Sequence, residues 1–187
     1  MKFSSWLLLG ISCSWLLLVG CKHANDIVNT PVVDGACSDN TGNRFVDCGN
    51  GTVTDTNPGH VANAGLIWLK NADCVGVKTW ADGTAWAYGL KSGDCGLSDN
   101  SAVGDWRLPT KNEWEAVLRS GCIPSLPNTV DNGCFSTGGW ASGVSSLYYW
   151  SSSTNASDSW AADMTHALVQ DYVRAGNLGV WAVRSGP

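Results

Sequence analysis

The chain has 187 residues, with 22 Gly, 11 Trp and 8 Cys, only 14% charged residues and a formal net charge of −5. That charge argues against nucleic acid, because neutralising phosphates takes a basic face and no run of Lys or Arg is present. It argues equally against a strongly sulfated ligand. Many Gly and Trp with few Lys or Glu point to short strands and turns around large aromatics, in one domain able to bury its own core.

Lys2 is followed by an apolar run from Trp6 to Val19, broken only by Gly10, Ser12, Cys13 and Ser14. A bilayer span needs roughly 20 apolar residues, so the run is short for that. A charged start, a short apolar stretch and small residues at a cut site mark a signal peptide. Leu18-Val19-Gly20-Cys21 resembles the lipobox of bacterial lipoproteins. The resemblance implies a diacylglyceryl thioether on Cys21, cleavage after Gly20 and acylation of the new amino end, so that membrane lipid is the first expected partner. Several acyl chains hold a protein on a membrane far better than one. Residues 1–20 are therefore expected to leave as a signal. Residues 21–36, polar and containing Pro31, read as a lipidated tether. Lys22 is not the Asp that retains lipoproteins at the inner membrane of enteric bacteria, so the cell envelope, at the outer membrane or cell surface, is the expected location.

With Cys13 removed and Cys21 lipidated, Cys37, Cys48, Cys74, Cys95, Cys122 and Cys134 remain. An even set in an exported chain reads as disulfides, and six cysteines allow fifteen pairings. Sequential pairs are favoured, Cys37–Cys48, Cys74–Cys95 and Cys122–Cys134, because each closes a short segment rich in Gly, Asn and Asp. A zinc site lacks support: there is no CxxC pair, and His23, His60 and His166 lie apart from the cysteines.

The domain is expected over residues 37–187. Arg44 to Asp47 and Thr52 to Asp55 are β-prone runs around Gly49-Asn50-Gly51, and Asn-Gly between such runs is a strong hairpin signal because both turn residues take positive φ. Ala64 to Lys70 reads as a buried strand. A helix is predicted from about Thr79 to Leu90, with Thr79 and Asp82 resembling a capping box and Gly83 and Gly89 weakening it. A firmer helix starts at Thr110, with Glu113 in reciprocal capping position, Trp114, Val117 and Leu118 on one face, and Gly121 as the expected C-terminal glycine. Residues 123–146 read as loop. Strands follow at Leu147 to Ser151, Ser159 to Thr165, Leu168 to Val173 and Val180 to Arg184. The class is α+β.

These residues resemble a known family. Phe45-Val46-Asp47 with Gly49 to Asp55 and Leu66-Ile67-Trp68, then Asp105 to Thr110 with Asn112-Glu113, then Tyr149-Trp150-Ser151-Ser152, and finally Val183-Arg184 resemble, in order, the blocks of the Lcl C-terminal domain family. They span residues 44–185. The resemblance implies a C-type-lectin-like fold, with two helices and a twisted antiparallel sheet. Arg107 to Thr110 with Glu113-Trp114-Glu115 is also similar to formylglycine-generating enzymes. Those need reactive cysteines late in the domain, and none follows Cys134, so the likeness carries the fold and not the catalysis. Leu126-Pro127-Asn128 only partly echoes a lectin calcium loop, and the Trp-Asn-Asp that follows such loops is missing.

Asp105, Arg107 and Glu113 are expected to cap the second helix and hold the loop before it. Trp68, Trp106, Trp114 and Trp150 are expected in the core. Asp163 and His166 come without a Gly-x-Ser-x-Gly elbow, so no catalysis is expected, and no cofactor. The segment after Ser152 departs most from the family, with Trp181 where the family tends to have Arg. The corresponding segment is the varied ligand-binding face in lectin-like proteins diversified by retroelements. The expected ligand-binding residues are Trp160, Asp163, His166, Gln170, Asp171, Tyr172, Arg174, Asn177 and Trp181, since Trp, Tyr and Arg supply most binding hot spots. Arg174 and Trp181 are expected to be replaceable without loss of stability. The expected function is a lipid-anchored, lectin-like surface protein binding a protein or glycan ligand, an adhesin or a diversified receptor. The alternatives are an envelope enzyme and a structural envelope lipoprotein.

Overall fold

The computed structural model describes residues 37–39, 41–57, 63, 65–145 and 147–186. The signal segment, Cys21 and the tether lie outside the described residues. Strands β1 (Phe45–Asp47) and β2 (Thr52–Asp55) form the expected antiparallel hairpin. The turn differs from the expected one: positive φ falls on Gly49 (71°) and Gly51 (85°), not on Asn50. Asn50 instead turns its side chain inward, where Oδ1 accepts from the Thr52 N–H (3.1 Å) and hydroxyl (2.7 Å). Strand β3 (Leu66–Leu69) is buried throughout and pairs with β2.

A short strand that sequence reading missed, β4 (Val77–Lys78), leads into helix α1 (Trp80–Gly89). Thr79 caps α1, accepting from the Asp82 N–H at 3.3 Å. Gly83, a weak helix former, is required by packing: a Cβ there would lie 2.8 Å from Val180 Cγ2. Helix α2 (Lys111–Val117) carries the full capping box of Thr110 and Glu113. It ends with Leu118 as C-cap, in extended conformation, so Gly121 lies beyond the helix end and is not its terminating residue.

Strands β5 (Tyr148–Thr154), β6 (Asp158–Asp163) and β7 (Leu168–Val173) form a meander. The expected last strand, Val180 to Arg184, is not one strand. It divides into β8 (Leu178–Gly179) and β9 (Val183–Arg184), which belong to different sheets. One sheet runs β1-β2-β3-β9. The other runs β4-β8-β5-β6-β7 and is mixed, because β5 and β8 are parallel. The α+β class with two helices stands, with two sheets in place of one.

All three sequential disulfides form, Cys37–Cys48, Cys74–Cys95 and Cys122–Cys134. Between the sheets lies an aromatic core. Trp68, Trp106, Trp114 and Trp150 are all buried there, in agreement with the sequence. Arg44 fixes the loop after α2 to this frame. Its guanidinium grips Asp55 with two 2.9 Å bonds, and also donates to Asp131 and to the Ala116 carbonyl at 3.0 Å. Removing one partner of so buried a pair typically costs about 3–5 kcal/mol, because the other charge is left uncompensated.

Candidate ligand-binding face

Side chains alternate across a strand, so the ladder register sorts the C-terminal residues by face. Tyr148, Asp163 and Leu168 are directly paired, as are Trp150, Ala161 and Gln170, and then Ser159 and Tyr172. These occupy one face of the five-stranded sheet. Tyr149, Ala162 and Val169, and then Trp160 and Asp171, occupy the other, where Tyr149 meets Trp114 of α2 with ring centroids 6.0 Å apart.

On the first face polar side chains from three strands lie side by side. Asp163 is only 3% exposed, yet three groups hydrogen-bond it. Its Oδ1 accepts from the backbone N–H groups of Thr165 (2.8 Å) and His166 (3.2 Å). Its Oδ2 lies 2.8 Å from the His166 ring Nδ1. Tyr148 stands directly opposite Asp163 on β5, and Gln170 lies on the same face of β7. Burial alone raises the Asp163 pKa, but the His166 ring, the Thr165 N–H, the Tyr148 phenol and the His166 N–H outweigh burial and hold it below the ordinary aspartate range. The Asp163 carboxylate opposite it pushes the Tyr148 phenol upward, helped by burial. An ionised carboxylate only accepts, so the shared proton sits on His166 Nδ1. The His166 side chain is 66% exposed.

Tyr172 completes the patch. It is partly buried, with its ring 5.7 Å from that of Tyr148 at a tilt of 41°, and its edge against Trp150 at 5.9 Å. Asp163, His166, Gln170 and Tyr172 are thus brought together. Tyr148 belongs with them and was missed, because sequence reading singled out its neighbours Tyr149 and Trp150 as part of a family block and left Tyr148 as an ordinary strand residue. Its alternation with Tyr149 is the signal that points to it.

The other expected residues lie elsewhere. Arg174 sits further along the same face, held as a clamp. Its Nε donates to the Ser159 hydroxyl (3.0 Å), its terminal nitrogen donates to the carbonyls of Asn155 (3.0 Å) and Asp158 (2.9 Å), and its guanidinium stacks over Trp80 at 4.9 Å. Trp160 and Asp171 are on the opposite face, where the Lys111 ammonium lies 3.5 Å from the Trp160 ring centre. Asn177 is exposed in the turn after β7. Trp181 corrects the sequence reading. It is fully buried, packed against Trp68, Trp114, Trp140 and Tyr149, with its N–H on the Leu69 carbonyl at 2.7 Å. The reason is topological. Val180 to Ala182 carries the chain from one sheet to the other, so Trp181 falls between them.

Asp105, Arg107 and Glu113 behave as expected. Arg107 grips Glu113 at 2.6 and 2.7 Å, Glu113 also accepts from the Thr110 N–H at 2.7 Å, and Asp105 accepts from the Ala102 N–H at 2.7 Å. Among the described residues no group of three or more His, Cys, Asp or Glu is placed to hold a metal, and no helix is long and apolar enough to cross a membrane.

The sequence profile of the Lcl C-terminal domain matches residues 51–184. The chain belongs to the Lcl C-terminal domain family. The matched span reaches from the β1–β2 turn to the last strand, so it takes in every strand but β1, and with them Tyr148, Asp163 and His166. Searches of curated proteins and of solved structures returned no match. Within the family domain, Arg107 and Glu113 serve the frame.

Proposed function

We propose that this Lcl-family protein is a lipid-anchored binding protein of the bacterial cell envelope, recognising a protein or glycan ligand through the outer face of β5, β6 and β7. Kinship with the C-type-lectin-like superfamily is part of the proposal. One observation carries the reading: buried Asp163 holds the ring of His166, whose side chain is exposed, on the same face of the sheet as Gln170 and the paired rings of Tyr148 and Tyr172. Aromatic bodies with polar tips beside directional hydrogen-bonding groups are what binding patches use.

The function is binding without turnover. Two depressions of the described surface lie elsewhere, one by Trp86 and Asp94, the other by Lys70 and the Phe135–Val144 loop. A catalytic site draws its titratable groups together in a concavity. The sequence around Cys21 supports the anchor and, with Lys22, the outer membrane or cell surface.

An array carrying glycans and extracellular proteins, probed with the soluble mature chain, tests the face. Ligands found should lose at least about tenfold in signal with His166→Ala or Gln170→Ala, a single hydrogen bond's worth or more, while both variants still unfold in one cooperative transition above the assay temperature. Ligands captured equally by both variants place recognition on another surface. For the anchor, Cys21→Ser should leave the full chain unprocessed or soluble, and a variant that is still acylated and in the detergent phase overturns the assignment.

A further inference from the structure

The fold leaves one long sheet edge open. We propose that β7 is a docking surface for a second copy of this chain, the two β7 strands pairing antiparallel about a two-fold axis at Gln170 so that two sheets become one.

The sheet edges are not alike. Among the described residues, the edge strands β1, β4 and β9 have three, two and two residues, and β4 ends on Lys78. Strand β7 has six, with no Pro, Gly or Lys and a single charge, Asp171. Proteins blunt a free edge by keeping it short, by Lys or Pro, or by a bulge. None of these devices is present on β7, which pairs with β6 at six consecutive positions without a register shift. Its outer N–H and C=O groups are therefore a template for another strand. Leu168, at the start of that strand, is apolar and 55% exposed.

The open stretch has defined ends. Before it, the Ala167 N–H turns back to the Asp163 carbonyl. After it, the Val173 and Arg174 carbonyls accept from the Gly176 and Trp80 N–H groups. Leu168 to Tyr172 lies between, with Gln170 at its centre. Adjacent antiparallel strands that share sheet faces are related by an axis perpendicular to the sheet, so a strand paired with its own copy sets one residue opposite itself. Centring on Gln170 sets amide against amide, and each amide both donates and accepts. It also sets Leu168 against the partner's Tyr172, an apolar side chain on an aromatic ring, and Val169 against the partner's Asp171. Centring on Asp171 instead sets two carboxylates face to face, which is destabilising. The chemistry of the strand thus selects the same centre as its open length.

Because the axis is perpendicular to the sheet, the Asp163–His166 faces of both copies look the same way. On the binding reading above, a ligand with repeated epitopes meets both at once. The pairing itself does not depend on that reading. Five paired residues make a small interface, so the association is weak and concentration-dependent.

The test uses the soluble mature chain with Cys21→Ser. Sedimentation equilibrium should show a monomer–dimer equilibrium, and amide exchange over Leu168 to Tyr172 should slow as the concentration rises. Leu168→Lys should raise the dissociation constant at least about tenfold. Val103→Lys replaces an equally exposed apolar residue on the loop between α1 and α2 and should leave it unchanged. Under mild oxidation Gln170→Cys should cross-link into a dimer, because directly opposed residues lie about 4.5–5.5 Å apart at Cβ, close to what a disulfide spans. Asp171→Cys should cross-link less. A chain that stays monomeric to about 1 mM, a dimer indifferent to Leu168→Lys, or preferential cross-linking at position 171 overturns the proposal. So does concentration-independent protection of β7 in a monomer, which would assign the edge to residues 22–36 of the same chain. If array ligands depend on His166 while the chain is monomeric, this inference falls and the binding face stands.

Discussion

Tyr172 and Trp181 are aromatic residues of the same C-terminal segment, and the sequence offers both as ligand contacts. The fold treats them oppositely. Trp181 meets four other rings and is closed to solvent, whereas Tyr172 leans on Trp150 and Tyr148 at the outside of a sheet. One region is an aromatic hub that joins two sheets. The other is a face on which a few polar side chains hold one another. The hub can tolerate little change and the face much more, because close-packed rings feel any change of volume.

The largest expected effect breaks the hub. Trp181→Ala should lower stability by about 3–5 kcal/mol, as large-to-small changes in a close-packed core do, read as a shift in the denaturation midpoint. A loss below about 1 kcal/mol, the scale of an ordinary surface change, removes Trp181 from the core. Next is the staple on the loop between α1 and α2. Replacing Cys74 and Cys95 together by Ala should cost about 2–4 kcal/mol, while leaving array ligands bound, since that loop lies apart from the β5–β7 face.

The face gives smaller and more selective effects. The Asp163 pKa is depressed in the folded state, so its ionised form contributes stability that is fully present above the ordinary aspartate pKa. That contribution is lost as pH falls through the lower folded value. Asp163→Asn should therefore be less stable than wild type at neutral pH, and the gap should narrow below about pH 4, near the unperturbed aspartate value. A gap that stays constant to about pH 2 would mean that the carboxylate charge is not what the network uses. The smallest effect is expected at Asp171, exposed and opposite the network. Asp171→Ser should change stability by no more than about 0.5 kcal/mol and leave His166-dependent ligands bound. Loss of those ligands would move the site to the Trp160 face.

Local signals in the chain were sufficient for much of this architecture. The Thr110–Glu113 capping box, the Thr79 cap, the β1–β2 hairpin and the β5–β7 meander are set by residues close in sequence, so they are legible there. The disulfide pairs close short segments, and neighbours in sequence found each other in space. Gly83 reads as a helix weakness until Val180 is seen against it, because a long-range close approach leaves no local trace. Four of the nine expected ligand residues, Asp163, His166, Gln170 and Tyr172, fall into one cluster, since strand alternation fixes which side chains share a face.

Which face is covered is not a property of alternation. The sequence by itself determined most of the elements, the caps and the family, and it favoured the cysteine pairing that forms. Only the tertiary structure decided that β8 and β9 belong to different sheets, that Trp181 is therefore enclosed between them, that Arg174 is occupied as a clamp, and that Tyr148 joins Asp163 and His166. Each of these depends on contacts between strands far apart in the chain, and such contacts are fixed only when the two sheets pack and exclude water from between them.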